Sequence, residues 1–400
     1  MTLSATDELY YDPWRADLNA DPYPMFKRFR DEAPLYYNAD HDFYALSRFH
    51  DVNRSLVDYQ SFSSARGAVL EIIKSGIEIP RGMLVFEDPP IHDIHRNLLA
   101  RAFTPRKLSA LEPKIREFTR KCLDPLIGGD RFDFVLDLGS VMPLRVVGML
   151  FGIPEDYQHR VQEDGDKHVR TERGGQMTDN NDGTLTDGQV FADFIDWRVD
   201  HPADDLTTEL LYAEFEDETG TTRQLRRDEL LVFMNVVAVA GAETTTRMIG
   251  WMGKLLSEHP EQRRQVVADR FLLPGAIEEI LRFEPPALQI ARYVTRDVEF
   301  HGTTVPQGSS ILALVGAANR DERRFGSDAE SFDVTRAPRQ HLTFGVGAHY
   351  CLGNALTRIE GRIALDEILN RFPDWEVDLD EAVFSSASAV RGWDSMPARV

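Results

Sequence analysis

Cys351 is one of only two cysteines among 400 residues, and its neighbours give up side chains around it: "HLTFGVGAHYCLG", residues 341–353. Gly345 and Gly347 permit tight turns that larger residues resist. After the cysteine, Leu352, Ala355, Leu356, Ile359, Ile363 and Leu365 keep a helical period. A thiol at such a loop-to-helix junction meets unpaired backbone N–H groups and the positive helix end, which favour a thiolate. Gly353 costs roughly 0.5–1 kcal/mol against alanine in a helical turn. A large flat body pressed against the backbone there would explain it. A buried cysteine in a glycine-rich turn is the plainer alternative.

Three further groups could do chemistry. "Ala240-Gly241-Ala242-Glu243-Thr244-Thr245" combines small residues with an acid and a hydroxyl. Thr244 can return a hydrogen bond to the carbonyl of Ala240 and distort the helix, making room for water. "Asp88-Pro-Pro-Ile-His92-Asp-Ile-His95-Arg96" places His92 and Arg96 on one helical face. His92 and His95 as a zinc pair lack further ligands nearby. In "Glu279-Ile-Leu-Arg282", spacing of three puts both charges on one face. Alone, that pattern is ordinarily a surface pair.

These groups need elements to hold them. The acid and hydroxyl lie in "DELLVFMNVVAVAGAETTTRMIGWMGKLLSEHP", with Asp228 as expected N-cap and Pro260 as stop. That gives about 30 residues, or roughly 45 Å of helix. It is apolar nearly all round, so it should run through the core. Asn235, Glu243, Arg247 and Lys254 exclude a membrane span. The Glu279 helix should open near Pro274 and close at Pro285 and Pro286. The first sixty residues mix short helical and strand patterns, residues 89–285 read mostly as helix, and 292–321 as short strands and turns. The expected fold is mostly α with small β elements, forming one domain over residues 1–400. The polar stretch at 170–189 suggests a calcium loop, but Thr178 and Gln189 would stand where carboxylates are needed. It reads as a surface loop.

A formal net charge of −21 argues against nucleic acid or an anionic membrane as partner. Two distant cysteines make no disulfide framework, so a reducing, cytoplasmic location is expected. The N-terminal residues show neither a signal peptide's apolar stretch nor a membrane anchor. Cys122 should be a core residue.

The pattern Phe344-Gly345-x-Gly347-x-His349-x-Cys351-x-Gly353 resembles the haem-binding loop of the cytochromes P450, in their soluble bacterial form. With the other motifs the resemblance runs from about residue 88 to 392. It implies the cytochrome P450 fold, with haem b enclosed between a long central helix and the cysteine loop. Cys351 would be the axial ligand of the haem iron, with Phe344, Gly345, His349 and Gly353 around the cofactor. His92, Arg96, Arg292 and His349 match ligands of the haem propionates, with His341 as a further candidate. Ala240 and Gly241 would let the haem approach. Glu243, where the family often has Asp, and Thr244 would deliver protons to dioxygen. Glu279, Arg282 and Arg336 would form a structural ion-pair network holding the loop.

The implied activity is monooxygenation, typically hydroxylation, of an apolar small molecule: lipid-like, terpenoid, steroid or polyketide. Its pocket would draw on residues 65–86, 233–240, 287–291 and 386–393. Electrons would come from a ferredoxin and its NAD(P)H-dependent reductase, docking near Arg101, Arg106 and Lys107. A monomer is expected. A peroxide-driven haem-thiolate enzyme and a non-catalytic haem-binding or gas-sensing protein remain as alternatives.

Overall fold

The computed structural model describes residues 9–154, 189–336, 340–385 and 390–400. The stretch holding Thr178 and residues 386–389 of the pocket segment 386–393 fall outside the described residues.

Helix α1, Tyr23–Glu32, buries Phe26 and Phe29 on one face and leads into a small sheet. Strands β1 (Leu35–Asn38) and β2 (Phe43–Leu46), where strand patterns were expected, pair antiparallel. They join β3 (Phe62–Ser63), β4 (Ile290–Val294) and β5 (Ser310–Ala313) in the order β1-β2-β5-β4-β3. Only the β5–β2 pairing is parallel. In β4, Arg292 is buried and stands opposite Ile311 of β5.

The rest is mainly helix: α2 (Ile91–Ala100), α3 (Pro105–Leu123), α4 (Met142–Phe151), α5 (Arg227–Glu258), α6 (Leu273–Phe283) and α7 (Asn354–Arg371). The main core gathers apolar faces of these helices, including Leu111, Ile115, Val147, Met248, Ile277 and Ile363. Residues 134–151 are apolar and long enough to cross a membrane, but most of that stretch is buried, against α5 among others.

Helix α5 is the predicted central helix, with a different start. It begins at Arg227, and Arg226 holds the cap position. The Glu229 carboxylate accepts the Arg226 N–H at 2.9 Å and pairs with Arg223 at 2.7 Å. That buried carboxylate satisfies the first-turn donor, which leaves Asp228 as a first-turn acid favoured by the helix dipole. Strands β6 (Val383–Phe384) and β7 (Trp393–Ser395) form a hairpin packed against α5.

Candidate active site

The cysteine loop turns where glycine permits: φ is +64° at Gly345 and +71° at Gly347. A Cβ on Gly347 would lie 3.2 Å from Cα of Val57 and 3.3 Å from the Leu56 carbonyl, so the loop abuts another backbone. The Cys351 N–H donates to the Phe344 carbonyl at 2.7 Å, closing the loop. Gly353 caps α7 with an ordinary φ of −81°. A Cβ there would meet nothing closer than 4.0 Å, at Sγ of Cys351 and a ring atom of Phe103. Neither backbone geometry nor neighbouring protein atoms require this glycine.

Burial pushes the Cys351 thiol up, although the Gly353 and Asn354 N–H groups, Arg96 and Arg358 favour its ionised form. The sequence suggested a thiol lowered by the helix end. Removing the sulfur from water outweighs those donors, and an electropositive ligand at sulfur would supply the missing stabilisation.

Helix α2, β4 and the cysteine loop bring four cationic or hydrogen-bonding side chains together. The His92 and His349 rings lie 4.3 Å apart. His92 Nδ1 is bonded to Asp93 at 2.9 Å, and His349 bonds to the backbone of Glu87. The Nε2 atoms of both rings are buried without a partner. Arg96 donates to the Tyr350 carbonyl at 2.6 Å. Arg292 donates to its neighbour's carbonyl at 2.9 Å, and burial lowers its pKa to about 10. Burial, with Arg292, His92 and Arg96 adding their charges, drives His349 down to about 3.

Halfway along α5 the core opens. Val239 is 52% exposed although it lies near the middle of a helix whose other faces are buried, and Ala240 is exposed beside it. The Thr244 hydroxyl donates to the Ala240 carbonyl at 2.8 Å, and the helix stays continuous across this bond. Thr245 carries a buried hydroxyl without a partner. Burial raises the Glu243 carboxyl above its ordinary range, against the opposing charge of Arg247.

A cytochrome P450 family model matches residues 189–385. Cytochrome P450 130 of Mycobacterium tuberculosis is 37% identical over 407 residues, covering 99% of this chain and 97% of its own. The structure of CYP109Q5 from Chondromyces apiculatus has a TM-score of 0.85 at 31% identity, covering 97% of each chain. That of CYP109E1 from Bacillus megaterium, in complex with corticosterone, has a TM-score of 0.83 at 28% identity, covering 96% of this chain and 99% of its own. The chain belongs to the cytochrome P450 family. It is a monooxygenase of the bacterial type, and the family's cofactor is haem.

The residues present fit that cofactor. A P450 needs donors for two haem carboxylates, and here four cationic or hydrogen-bonding groups converge with two ring nitrogens unmatched. It needs a flat space beside the cysteine, and Gly353 leaves one.

The supporting network forms as a buried unit. Arg282 grips Glu279 through two bonds of 2.7 Å, and Arg336 reaches the same carboxylate at 3.2 Å. Arg282 also donates to the carbonyls of Asn319 and Ala329 at 2.8 and 2.9 Å.

Several partners were not visible in the sequence. Asn319 accepts the Leu342 N–H at 2.7 Å and donates to the Thr343 hydroxyl at 2.9 Å, carrying the network into the cysteine loop. Glu278 bonds to Arg358 at 2.6 Å and to His341 at 3.2 Å. Despite burial, which raises it, those two cations hold Glu278 down at about 2. His341 therefore faces a carboxylate of the protein, where the sequence suggested a propionate ligand. His95 bonds to Glu87 at 2.7 Å, and Glu87 also accepts the Gly82 N–H at 2.8 Å. Cys122 is half-buried against the core, and burial raises its thiol to about 11. Of the expected docking cations, Arg101 and Arg106 are exposed, while Lys107 pairs with Glu209 at 2.5 Å.

Proposed function

We propose that Cys351 is the axial thiolate of a haem b whose propionates are held by His92, Arg96, Arg292 and His349. The observation that carries this reading is the buried cationic cluster with two unmatched ring nitrogens. Thiolate-ligated haem supplies the reductive activation of dioxygen when bound. Phe344, Gly345 and Gly353 shape the loop beside it, and Ala240 and Gly241 keep the opposite wall low.

The remaining chemistry belongs to the chain. With its proton committed to Ala240, the Thr244 hydroxyl offers lone pairs to a water molecule. Burial lifts Glu243 toward the range in which a carboxyl can serve as a proton donor near neutral pH. Protons pass from Glu243 to water ordered at Thr244. The substrate is an apolar small molecule that undergoes hydroxylation. An apolar cluster of Met83, Phe86, Val232, Val69, Ile72 and Val236, drawn mostly from two of the expected pocket segments, supports this, as does the likeness to CYP109E1 in complex with corticosterone. A steroid-sized substrate is the first to try. Two electrons come from a ferredoxin and its NAD(P)H-dependent reductase, with Arg101 and Arg106 on the docking face. The chain works in the cytoplasm as a monomer.

The test has two arms. Cys351→His should lose the red-shifted band of the reduced carbon monoxide complex typical of thiolate-bound haem, and retention of the band would overturn the ligand assignment. Thr244→Ala should keep that band, while product formed per NADH falls and hydrogen peroxide rises. Full coupling in Thr244→Ala would remove it from proton delivery.

A further inference from the structure

Arg247 lies one turn beyond Glu243 on α5 and is almost entirely buried. Its Nη1 donates to the Trp393 carbonyl at 2.5 Å and to the Asp394 carboxylate at 2.6 Å. Both acceptors belong to β7 of the C-terminal hairpin. Its Nη2 meets Glu243 at 3.4 Å, and its Nε is buried without a partner. The hairpin is shaped around this side chain: a Cβ on Gly392 would lie 2.8 Å from both Cβ and Cδ of Arg247. Asp394 is half-exposed, with 52% of its side chain accessible.

The guanidinium is therefore anchored by two short bonds to the hairpin and holds Glu243 by one long one. The cation is fixed and the carboxylate is free to turn. Asp394, Arg247 and Glu243 form a continuous polar chain from the surface to the open stretch of α5. Among the described residues, the charged groups acting on Glu243 are Arg247 on its own helix and Asp394 on the packed hairpin.

We propose that Arg247 is a positioning residue: anchored on the C-terminal hairpin, it holds the Glu243 carboxylate toward Asp394 between proton transfers, and Asp394 tunes how tightly. This rests on the reading of Glu243 as a proton donor. Arg247 itself transfers nothing in this scheme. It acts by setting the orientation and charge of the group that does the transfer. Competition by Asp394 for the same guanidinium weakens its hold on Glu243, so the two residues act on Glu243 with opposite sign.

That opposition gives the test. The infrared stretch of the protonated carboxyl is followed against pH in the haem-loaded protein. Its loss in Glu243→Gln assigns the band and separates it from buried Glu360. Arg247→Gln removes the cation and should move the titration of Glu243 to higher pH. Asp394→Asn removes the competitor and should move it to lower pH. The pH dependence of oxygen consumption with ferredoxin and reductase should move in the same two directions. Shifts of one sign in both variants, or none, would overturn the proposal. So would infrared shifts without movement of the oxygen profile, because Arg247 would then merely staple the hairpin. Should Arg247→Gln fail to fold, the half-exposed Asp394→Asn decides alone: a downward shift in both readouts supports the proposal, and any other result overturns it. Undiminished oxygen consumption in Glu243→Gln would instead remove Glu243 from proton supply, a failure distinct from that of Arg247.

Discussion

Two buried groups of cations reach the cysteine loop, and they are finished differently. Arg282 and Arg336 share Glu279 and donate to the carbonyls of Asn319, Asp328, Ala329 and Ser331, and Arg358 is matched by Glu278. His92, Arg96, Arg292 and His349 converge with ring nitrogens left over, and Arg292 and His349 both lie below their ordinary pKa. Charges taken out of water are stable only with partners. A cluster whose partners come from the chain is scaffold. A cluster that the chain leaves incomplete has donors to spare, which suits the carboxylates of the proposed haem.

The largest effect should come from breaking the finished cluster. Glu279→Gln preserves shape but strands the fully buried Arg282, at a cost of about 3–5 kcal/mol, while Arg336 keeps Asp328. Chemical denaturation of variant and wild type measures it. A loss under about 1 kcal/mol would mean that the cluster is not held together by its central carboxylate.

The unfinished cluster should respond in the opposite way. Arg292→Gln should leave the stability of the haem-free chain nearly unchanged, because it removes a buried charge rather than orphaning one. Haem retention should fall roughly ten- to a hundredfold, the equivalent of about 1.5–3 kcal/mol for a hydrogen bond to a charged group. Transfer of haem to a scavenging protein reads that loss. Destabilisation of the haem-free chain with unchanged haem transfer would merge the two clusters into one class.

The smallest effect sharpens the comparison with a third solution. Glu360 in α7 is buried, and burial alone pushes its pKa well above the ordinary 4.5. The folded chain keeps this proton where the unfolded chain has lost it. The stability it contributes is fully present below the unfolded value and is lost as pH rises toward the folded one. Glu360→Gln abolishes that loss. Melting temperatures of variant and wild type, followed over the range above about pH 5, should separate in the variant's favour as pH rises. A constant difference across that range would show that Glu360 ionises without cost.

How much of this was legible in the sequence follows from distance along the chain. The cysteine loop, the Glu279–Arg282 pair and the acid–hydroxyl stretch of α5 are short patterns, and their spacing alone places side chains on one face. Asn319, Glu278 and Asp394 gave no such signal. Asn319 meets a residue 23 positions away, Glu278 one 80 away, and Asp394 a helix residue 147 away. Only packing brings them together. The same limit hid the partner of His341, which bonds to Glu278, 63 residues before it. It also made Lys107 look like a free surface cation, since Glu209 lies 102 residues on. The cap of α5 lies two residues before the expected one, at Arg226 rather than Asp228, although Asp is by type the better N-cap. Glu229, from the third helical position, settles the matter by reaching back to the Arg226 amide.

Gly347 lies against Val57 and the carbonyl of Leu56, backbone to backbone, across 290 residues of chain. During synthesis the segment around Val57 emerges early and waits for most of the remaining chain before its partner exists. Contacts of such long range close slowly, since loop-closure entropy must be met before they contribute. The candidate site around Cys351 is thus among the last parts of the molecule to be assembled. A cofactor entering it meets an otherwise nearly folded protein. In a heterologous host, the supply of haem in the minutes after translation, rather than the folding of the helices, should then set the yield of active enzyme.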